Sequence, residues 1–217
     1  MEFHRIIGLV VLSFSLASPA IVAQAQMPQS LPQFDAVRDW SPQSNPNGTW
    51  SYGFTAFWGM PFQFDDLSGS NWAGVSAWWP SQVGPPPDVS HNDTKKQICG
   101  ETWCIPPKYL HLHPGPNGEI SVLRWTAPAS RTYVFRVKFE GLDWAFPTST
   151  TFYAVQDSQA VLLEAPINSY KLVSKWNPKP MKLTQGENID FMVDWGQDGN
   201  YFGDSTGVAV KIWERAK

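Results

Sequence analysis

The sequence predicts an all-β protein, an antiparallel β-sandwich of jelly-roll type with about ten strands. Three observations carry that expectation. Over residues 131–140, Tyr133, Phe135, Val137 and Phe139 alternate with Thr132, Arg136 and Lys138. A period of two with one apolar set is what a strand with one buried face requires. The 19 Pro and 16 Gly are spread through many short punctuations, as in chains with many turns. No helical period survives over a useful length.

Taken in order, the chain opens with a targeting segment. Arg5 precedes the apolar run from Ile6 to Leu12, Pro19 breaks it, and Ala23-Gln24-Ala25 fits small residues before a cleavage site. Residues 1–25 are therefore read as a signal peptide, and residues 26–217 as one β-sandwich domain. The run is too short and too interrupted for a bilayer span, and no later segment offers one. Phe34 to Trp40 suggests a first strand. Asn47-Gly48 is a strong tight-turn signal, and Trp50, Tyr52 and Phe54 mark one face of the strand after it. Phe62 and Phe64 suggest another short strand.

Residues 65–108 resist assignment and read as a long aromatic, Pro/Gly-rich loop excursion on one face of the sandwich, containing short strands whose positions the pattern does not fix. Beyond it, residues 110–113, 119–125, 150–156 with 160–164, 170–176 and 181–183 read as further strands. Residues 186–213 are expected to form a closing hairpin. Ile189, Phe191, Val193 and Trp195 share one face of its first strand, and Val208, Val210 and Ile212 one face of its second. Between them lies a turn rich in Asp and Gly.

Composition narrows the function. A net charge of −3 gives no basis for a nucleic-acid partner, which would want a basic stripe. The two cysteines, Cys99 and Cys104, are close in sequence in a chain expected to be exported, and suggest a disulfide holding one loop. Twelve Trp is far above ordinary usage. Buried indoles need a partner for the ring N–H, so some of the twelve are expected to face a ligand or line the rim of the fold, and others to pack the long excursion onto the sandwich. The candidates are Trp72, Trp78, Trp79 and Trp103, which sit in loop-like sequence where binding residues concentrate. Flat aromatic faces suit the apolar faces of sugar rings.

Asp194, Asp198, Asn200 and Asp204 gather oxygen side chains among Gly196, Gly199 and Gly203, a chemistry that suits structural calcium. The same residues are ordinary turn formers. His111 and His113 share one face of a strand, the spacing of half a metal site, but no third ligand stands nearby in sequence and Leu112-His113-Pro114 reads as a strand entering a turn. No catalytic residue is assigned. There is no Gly-x-Ser-x-Gly elbow, and nothing singles out a pair among Asp65, Asp66 and Glu101 for glycoside hydrolysis. Asn47-Gly48-Thr49 and Asn92-Asp93-Thr94 are glycosylation sequons, with meaning only in a eukaryotic source.

Several stretches carry a resemblance. They are Phe34-Asp35-Ala36-Val37-Arg38-Asp39-Trp40, Asn45-Pro46-Asn47-Gly48-Thr49-Trp50, Leu112-His113-Pro114-Gly115-Pro116-Asn117-Gly118, Arg124-Trp125-Thr126-Ala127-Pro128, and Gly186-Glu187-Asn188-Ile189 with Asp204-Ser205-Thr206-Gly207. Together they resemble uncharacterised secreted bacterial β-sandwich proteins, many of which carry a C-terminal Pro-Glu-Pro sorting tail. Here the last residues are Trp213-Glu214-Arg215-Ala216-Lys217, which is not that tail. The architecture is similar to galactose-binding-like and carbohydrate-binding jelly-roll modules. The resemblance implies this fold and export to a periplasmic or extracellular place; it implies no activity. The functional expectation is a non-catalytic module for carbohydrate or another cell-envelope ligand. The alternatives are a structural or adhesive surface protein and a polysaccharide-active enzyme.

Overall fold

The computed structural model describes residues 33–215 apart from Ala73 and Pro147, and only the backbone of Ser70, Asn71 and Trp72. The expected signal peptide, residues 1–25, and the Trp72 side chain lie outside the described residues. The strands are β1 (Phe34–Asp35), β2 (Trp50–Thr55), β3 (Gln63–Phe64), β4 (Leu67–Trp72), β5 (Val75–Trp79) and β6 (Asp88–Asn92). A small pair follows, β7 (Ile98–Cys99) and β8 (Cys104–Ile105). Then come β9 (Leu110–His113), β10 (Ile120–Thr126), β11 (Arg131–Gly141), β12 (Thr150–Gln156) and β13 (Ala160–Ile167). The chain closes with β14 (Val173–Trp176), β15 (Met181–Leu183), β16 (Asn188–Asp194) and β17 (Thr206–Glu214).

These strands build the expected antiparallel sandwich. The larger sheet runs β14-β11-β17-β9-β6-β5-β4, with β1 against β17 and β15 against β11. The smaller runs β13-β12-β16-β10-β2-β3. Alternation explains the stacking. Tyr133, Phe135, Val137 and Phe139 of β11 and Val208, Val210 and Ile212 of β17 meet Trp50, Tyr52, Leu123, Trp125, Phe152 and Phe191 of the other layer in one core. Their outward neighbours Arg136, Lys138 and Lys211 are exposed. Among the described residues no helix is long and apolar enough to cross a membrane.

Three expectations change. The short strands expected within the excursion at 65–108 do more than decorate one face of the sandwich: β4, β5 and β6 extend the larger sheet itself. These strands are short and one is Gly- and Ser-rich, so alternation never repeats long enough to be read. The closing hairpin also does not form. β16 belongs to the smaller sheet and β17 to the larger, so the Asp/Gly-rich turn crosses between layers. Both strands still bury the predicted faces, because those faces meet across the core rather than side by side. Trp195 falls just past β16. At the N-terminus only Phe34–Asp35 is strand; Asp35 accepts hydrogen bonds from the N–H groups of Val37 and Arg38 and bends the chain at once.

Two local readings hold. Thr150–Gln156 and Ala160–Ile167 do pair as a hairpin, with Asp157 and Ser158 at φ 51° and 56°. Positive φ at both central residues matches the twist of paired strands. Cys99 and Cys104 form a disulfide across the β7–β8 pair.

Candidate functional site

One end of the larger sheet gathers most of the chemistry. Trp78 pairs with Val89, which sets Trp79 opposite Asp88; Asp88 in turn pairs with His113. Leu112 pairs with Thr206, which sets His113 beside Ser205. Trp79, Asp88, His113 and Ser205 therefore form a cross-strand row on the outer face, since paired residues project to the same side. Rings extend the row. Trp103 lies 6.2 Å from His111 in a stacked pose, His111 5.9 Å from His113, His113 6.1 Å from Tyr201, and Tyr201 4.5 Å from Phe202.

Three segments hold this arrangement. The disulfide-closed β7–β8 turn carries Trp103 and docks on the chain after β11. There Cys104 N–H donates to Leu142 O (3.0 Å) and Trp144 N–H to Thr102 O (2.7 Å). Val75, Ile105 and Leu142 form a small apolar cluster there, with Ile98 and Trp103 packed against it. The β16–β17 crossing is pinned by glycines. Gly203 has φ 83°, and a Cβ there would sit 2.7 Å from Cβ of Phe146. Gly196, at φ 68°, passes so close to Ser149 O that any side chain would collide with it. The result is a rim on which Trp144, Phe146 and Phe202 are 53%, 55% and 65% exposed.

Polar groups line the same rim. Asp198 accepts from Ser149 Oγ (2.7 Å) and from the side-chain amide of Asn200 (2.7 Å). Asp204 is fully buried; its Oδ1 accepts from Ser149 N–H (3.2 Å), while its Oδ2 has no partner. Burial pushes its carboxyl up to about 7, with Asp198 and Asp143 adding repulsion against the bonds from Ser149. Asp143, also buried, accepts from Ser205 N–H (3.1 Å) and leaves Oδ1 unpartnered. Asp194 is turned elsewhere, toward Thr151 N–H, Tyr153 O–H and Gly196 N–H.

A Ser, a His and an Asp do meet here, but not as a hydrolytic triad. Ser90 Oγ (2.8 Å) and Asp88 Oδ2 (3.5 Å) both approach Nδ1 of His111, whereas a relay needs opposite ring nitrogens. Nε2 of His111 is buried and unpartnered. Burial pushes the Asp88 carboxyl up, but the bond and charge of His111, with help from His113 and Ser90, bring it net below the usual range. Burial and the neighbouring His111 push His113 down, which keeps it neutral near pH 7. Asp65 is buried with neither oxygen bonded, and burial, then Asp88 and Asp66, raise it to about 8. Asp66 instead binds Ser81.

The sequence-predicted residues are thus divided. Trp103 stacks on His111, and Trp79 stands at the far end of the cross-strand row, opposite Asp88. Trp78 is 8% exposed, stacks on Tyr52 at 6.4 Å and donates its ring N–H to Ser41 O (2.8 Å), so its indole belongs to the core. Of the oxygen set, Asp198, Asn200 and Asp204 share the rim and Asp194 does not. Among the described residues no group of three or more His, Cys, Asp or Glu is placed to hold a metal ion. Sequence reasoning missed Trp144, Phe146 and Phe202. The available signal was aromatic residues in a gap between well-marked strands. Asn92 is fully buried, with its side-chain N–H groups donating to Lys96 O and Ile105 O, so that sequon is closed to modification.

A second aromatic surface lies on the outer face of the smaller sheet. There the β2–β3 loop exposes Phe57, Trp58 and Met60, with Phe64 of β3 alongside. Trp58 rests 4.5 Å from Tyr153, and Phe62 packs on Ile120, Val122 and Met192.

The fold is thus a two-layer antiparallel β-sandwich. No family model matches the chain, and no curated protein matches it. Similar solved structures include the CBM51 from Clostridium perfringens GH95 in complex with methyl-galactose, at 12% identity and TM-score 0.36, covering 69% of this chain and 94% of that one. Another is the PA14 sugar-binding domain from an RTX adhesin, at 10% identity and TM-score 0.32, covering 76% and 88%. A third is the Podospora anserina GH26-CBM35 β-(1,4)-mannanase, at 12% and 0.32; 70% of this chain is covered but only 27% of that chain. Likenesses this distant fix neither ligand nor site.

Proposed function

We propose that this chain is an exported, non-catalytic module that binds carbohydrate at the loop rim. The observation that carries the reading is the rim itself. Trp144, Phe146 and Phe202 are exposed on the two loops that also carry Asp198 and Asn200, and the loops are joined by the Ser149–Asp198 bond and the close approach of Gly203 to Phe146. A sugar ring stacks its apolar face on an aromatic plane and bonds its hydroxyls to carboxylates and amides, so both halves of that chemistry are present within one surface. Trp103 and Trp79 extend it. Export is supported by the leader sequence and by the disulfide, which persists in oxidising compartments.

The test is a glycan array followed by polysaccharide pull-down. Wild type is expected to bind, and Trp144→Ala and Phe202→Ala are each expected to weaken binding at least about tenfold, a loss of roughly 1.4 kcal/mol. Absence of binding to any glycan, or undiminished binding by both variants, removes the reading. The exposed Phe57, Trp58, Met60 and Phe64 favour one second reading, an adhesive surface that associates through apolar contact. Sedimentation showing concentration-dependent self-association, lost on Phe57→Ser, would support that one instead.

A further inference from the structure

The other half of the larger sheet presents a different surface. On its outer face Arg136 of β11 is directly opposite Lys211 of β17, and Lys138 of β11 is directly opposite Lys175 of β14. All four side chains are exposed. Opposed residues on one face sit about 5 Å apart, and like charges in that position are destabilising. Two such pairs lie side by side, because Arg136 and Lys138 are alternate residues about 7 Å apart on one strand. A chain of net charge −3 has acids enough to compensate them. Asp35 lies 3.5 Å from Lys211, and Glu140 is taken by Tyr109 O–H and Lys108. Among the described residues no carboxylate stands within ion-pair distance of Arg136, Lys138, Lys175 or Lys182.

The patch continues past the end of β11. Lys182 pairs with Thr132, and Arg131, Lys182, Thr184 and Arg215 line an open groove of about 610 Å³. Two acids stand near its mouth: Glu214 lies 4.0 Å from Arg131, and Glu187 accepts from the Thr184 N–H. Trp213 lies among the cations, with the Arg136 guanidinium 5.2 Å over its ring. Repulsion built into paired strands is relieved when an extended polyanion lies across them. A sheet face with cations spaced along β11 and across its neighbours β14 and β17 suits a linear chain of charges better than a single small anion. The indole supplies a flat apolar plane among them.

We infer that this face binds an anionic polysaccharide, one carrying carboxylate or sulfate groups, at a site separate from the loop rim. Trp213 offers a plane for a sugar ring, and the lysines and arginines take the acid groups. Nucleic acid is the competing polyanion. It is disfavoured because a single partly buried indole is a poor platform for successive bases.

Binding is measured on polygalacturonate and on dextran sulfate at about 50 mM salt, where screening is weak, with neutral dextran and duplex DNA as comparators. Wild type is expected to bind at least one polyanion and not dextran, with affinity falling steeply as salt rises. The carboxylated and sulfated arms separate the two acid chemistries. The double variants Lys138→Gln/Lys175→Gln and Arg136→Gln/Lys211→Gln are each expected to lose at least about tenfold in affinity. Lys138→Gln/Lys175→Gln should keep or raise Tm, because it removes an opposed like-charge pair, whereas Arg136→Gln/Lys211→Gln also gives up the Lys211–Asp35 ion pair and should leave Tm near that of wild type. Trp144→Ala should bind the polyanion as wild type does, which separates failure of this site from failure of the rim. Absence of binding to both anionic glycans, double variants that bind undiminished, or DNA bound as tightly as either glycan would overturn the inference.

Discussion

The loop rim and the outer face of the smaller sheet both expose aromatic rings, yet their charged groups are in different states. Beside the β2–β3 loop, Arg124 makes two bonds to Asp190, at 2.6 and 2.7 Å, and a third to Ser158 Oγ at 2.8 Å. Its guanidinium also lies 4.1 Å over the Phe62 ring. The charged pair on that face, Arg124 and Asp190, is thus already used in holding the face together. At the rim, buried oxygens of Asp143 and Asp204 have no partner, and Asp198 is exposed. Exposed aromatic surface over a charge pair closed on itself is a packing surface; the same surface beside an exposed carboxylate such as Asp198 can recognise a hydroxylated ligand.

The largest expected effect tests the satisfied side. Arg124→Ala leaves Asp190, which is 2% exposed, without its cation and removes the support under Phe62. Breaking such a pair is expected to cost about 3 kcal/mol in denaturant unfolding, while glycan binding by the folded protein stays unchanged. A loss under about 0.5 kcal/mol, the range of ordinary surface substitutions, would show that the face is not built on this pair.

How much of this was legible depended on how long each pattern ran. β11 was readable because Tyr133, Phe135, Val137 and Phe139 repeat the alternation along a single strand. β5 was not, although Val75, Ala77 and Trp79 do alternate with Ser76 and Trp78, because the strand ends before a period is established and its neighbour contains Gly69. Trp78 illustrates the limit for the site. Loop-like flanks suggested a ligand platform, whereas register alone decides that Trp78 shares its side with Val89, in the core, and Trp79 shares its side with Asp88, on the outer face. One residue of slip exchanges them. The closing element shows the same thing at larger scale. Its two buried faces were correct, but which sheet each strand joins is a tertiary fact. The basic face was invisible for that reason too: Lys175 and Lys138 are far apart in sequence and meet only through the pairing of β14 with β11.

The second prediction probes the unsatisfied side through pH. Asp204 holds its proton in the folded state up to about 7, against an ordinary 3.8. The unfolded chain releases it near pH 4, so between about 4 and about 7 the folded state binds more protons and stability falls as pH rises. Asp65, raised to about 8, adds a second component of the same sign over about 4 to 8. Thermal unfolding of wild type from pH 4.5 to 8.5 should therefore contain a downward contribution with rising pH. Asp204→Asn should remove the part ending near 7, and Asp65→Asn the part continuing to 8. Superimposable pH profiles for wild type and Asp204→Asn would mean that Asp204 is not held protonated in the folded state.

The smallest effect sets the two surfaces against each other directly. Trp58 is 47% exposed and half rests on Tyr153, whereas Phe202 is 65% exposed and touches mainly Tyr201. Trp58→Ala forfeits the covered part of an indole and a ring contact, about 1 kcal/mol in all, which a modest fall in Tm would register. Phe202→Ala removes little buried area and should stay within about 0.5 kcal/mol of wild type. Binding is expected to reverse the order, with Phe202→Ala impaired and Trp58→Ala not. A crossed pattern of that kind separates a ring that packs from a ring that receives a ligand, because neither variant can produce both halves of it by unfolding alone. If instead Trp58→Ala also loses glycan affinity while keeping its Tm, the outer face of the smaller sheet belongs to the binding surface and the contrast between the two regions fails.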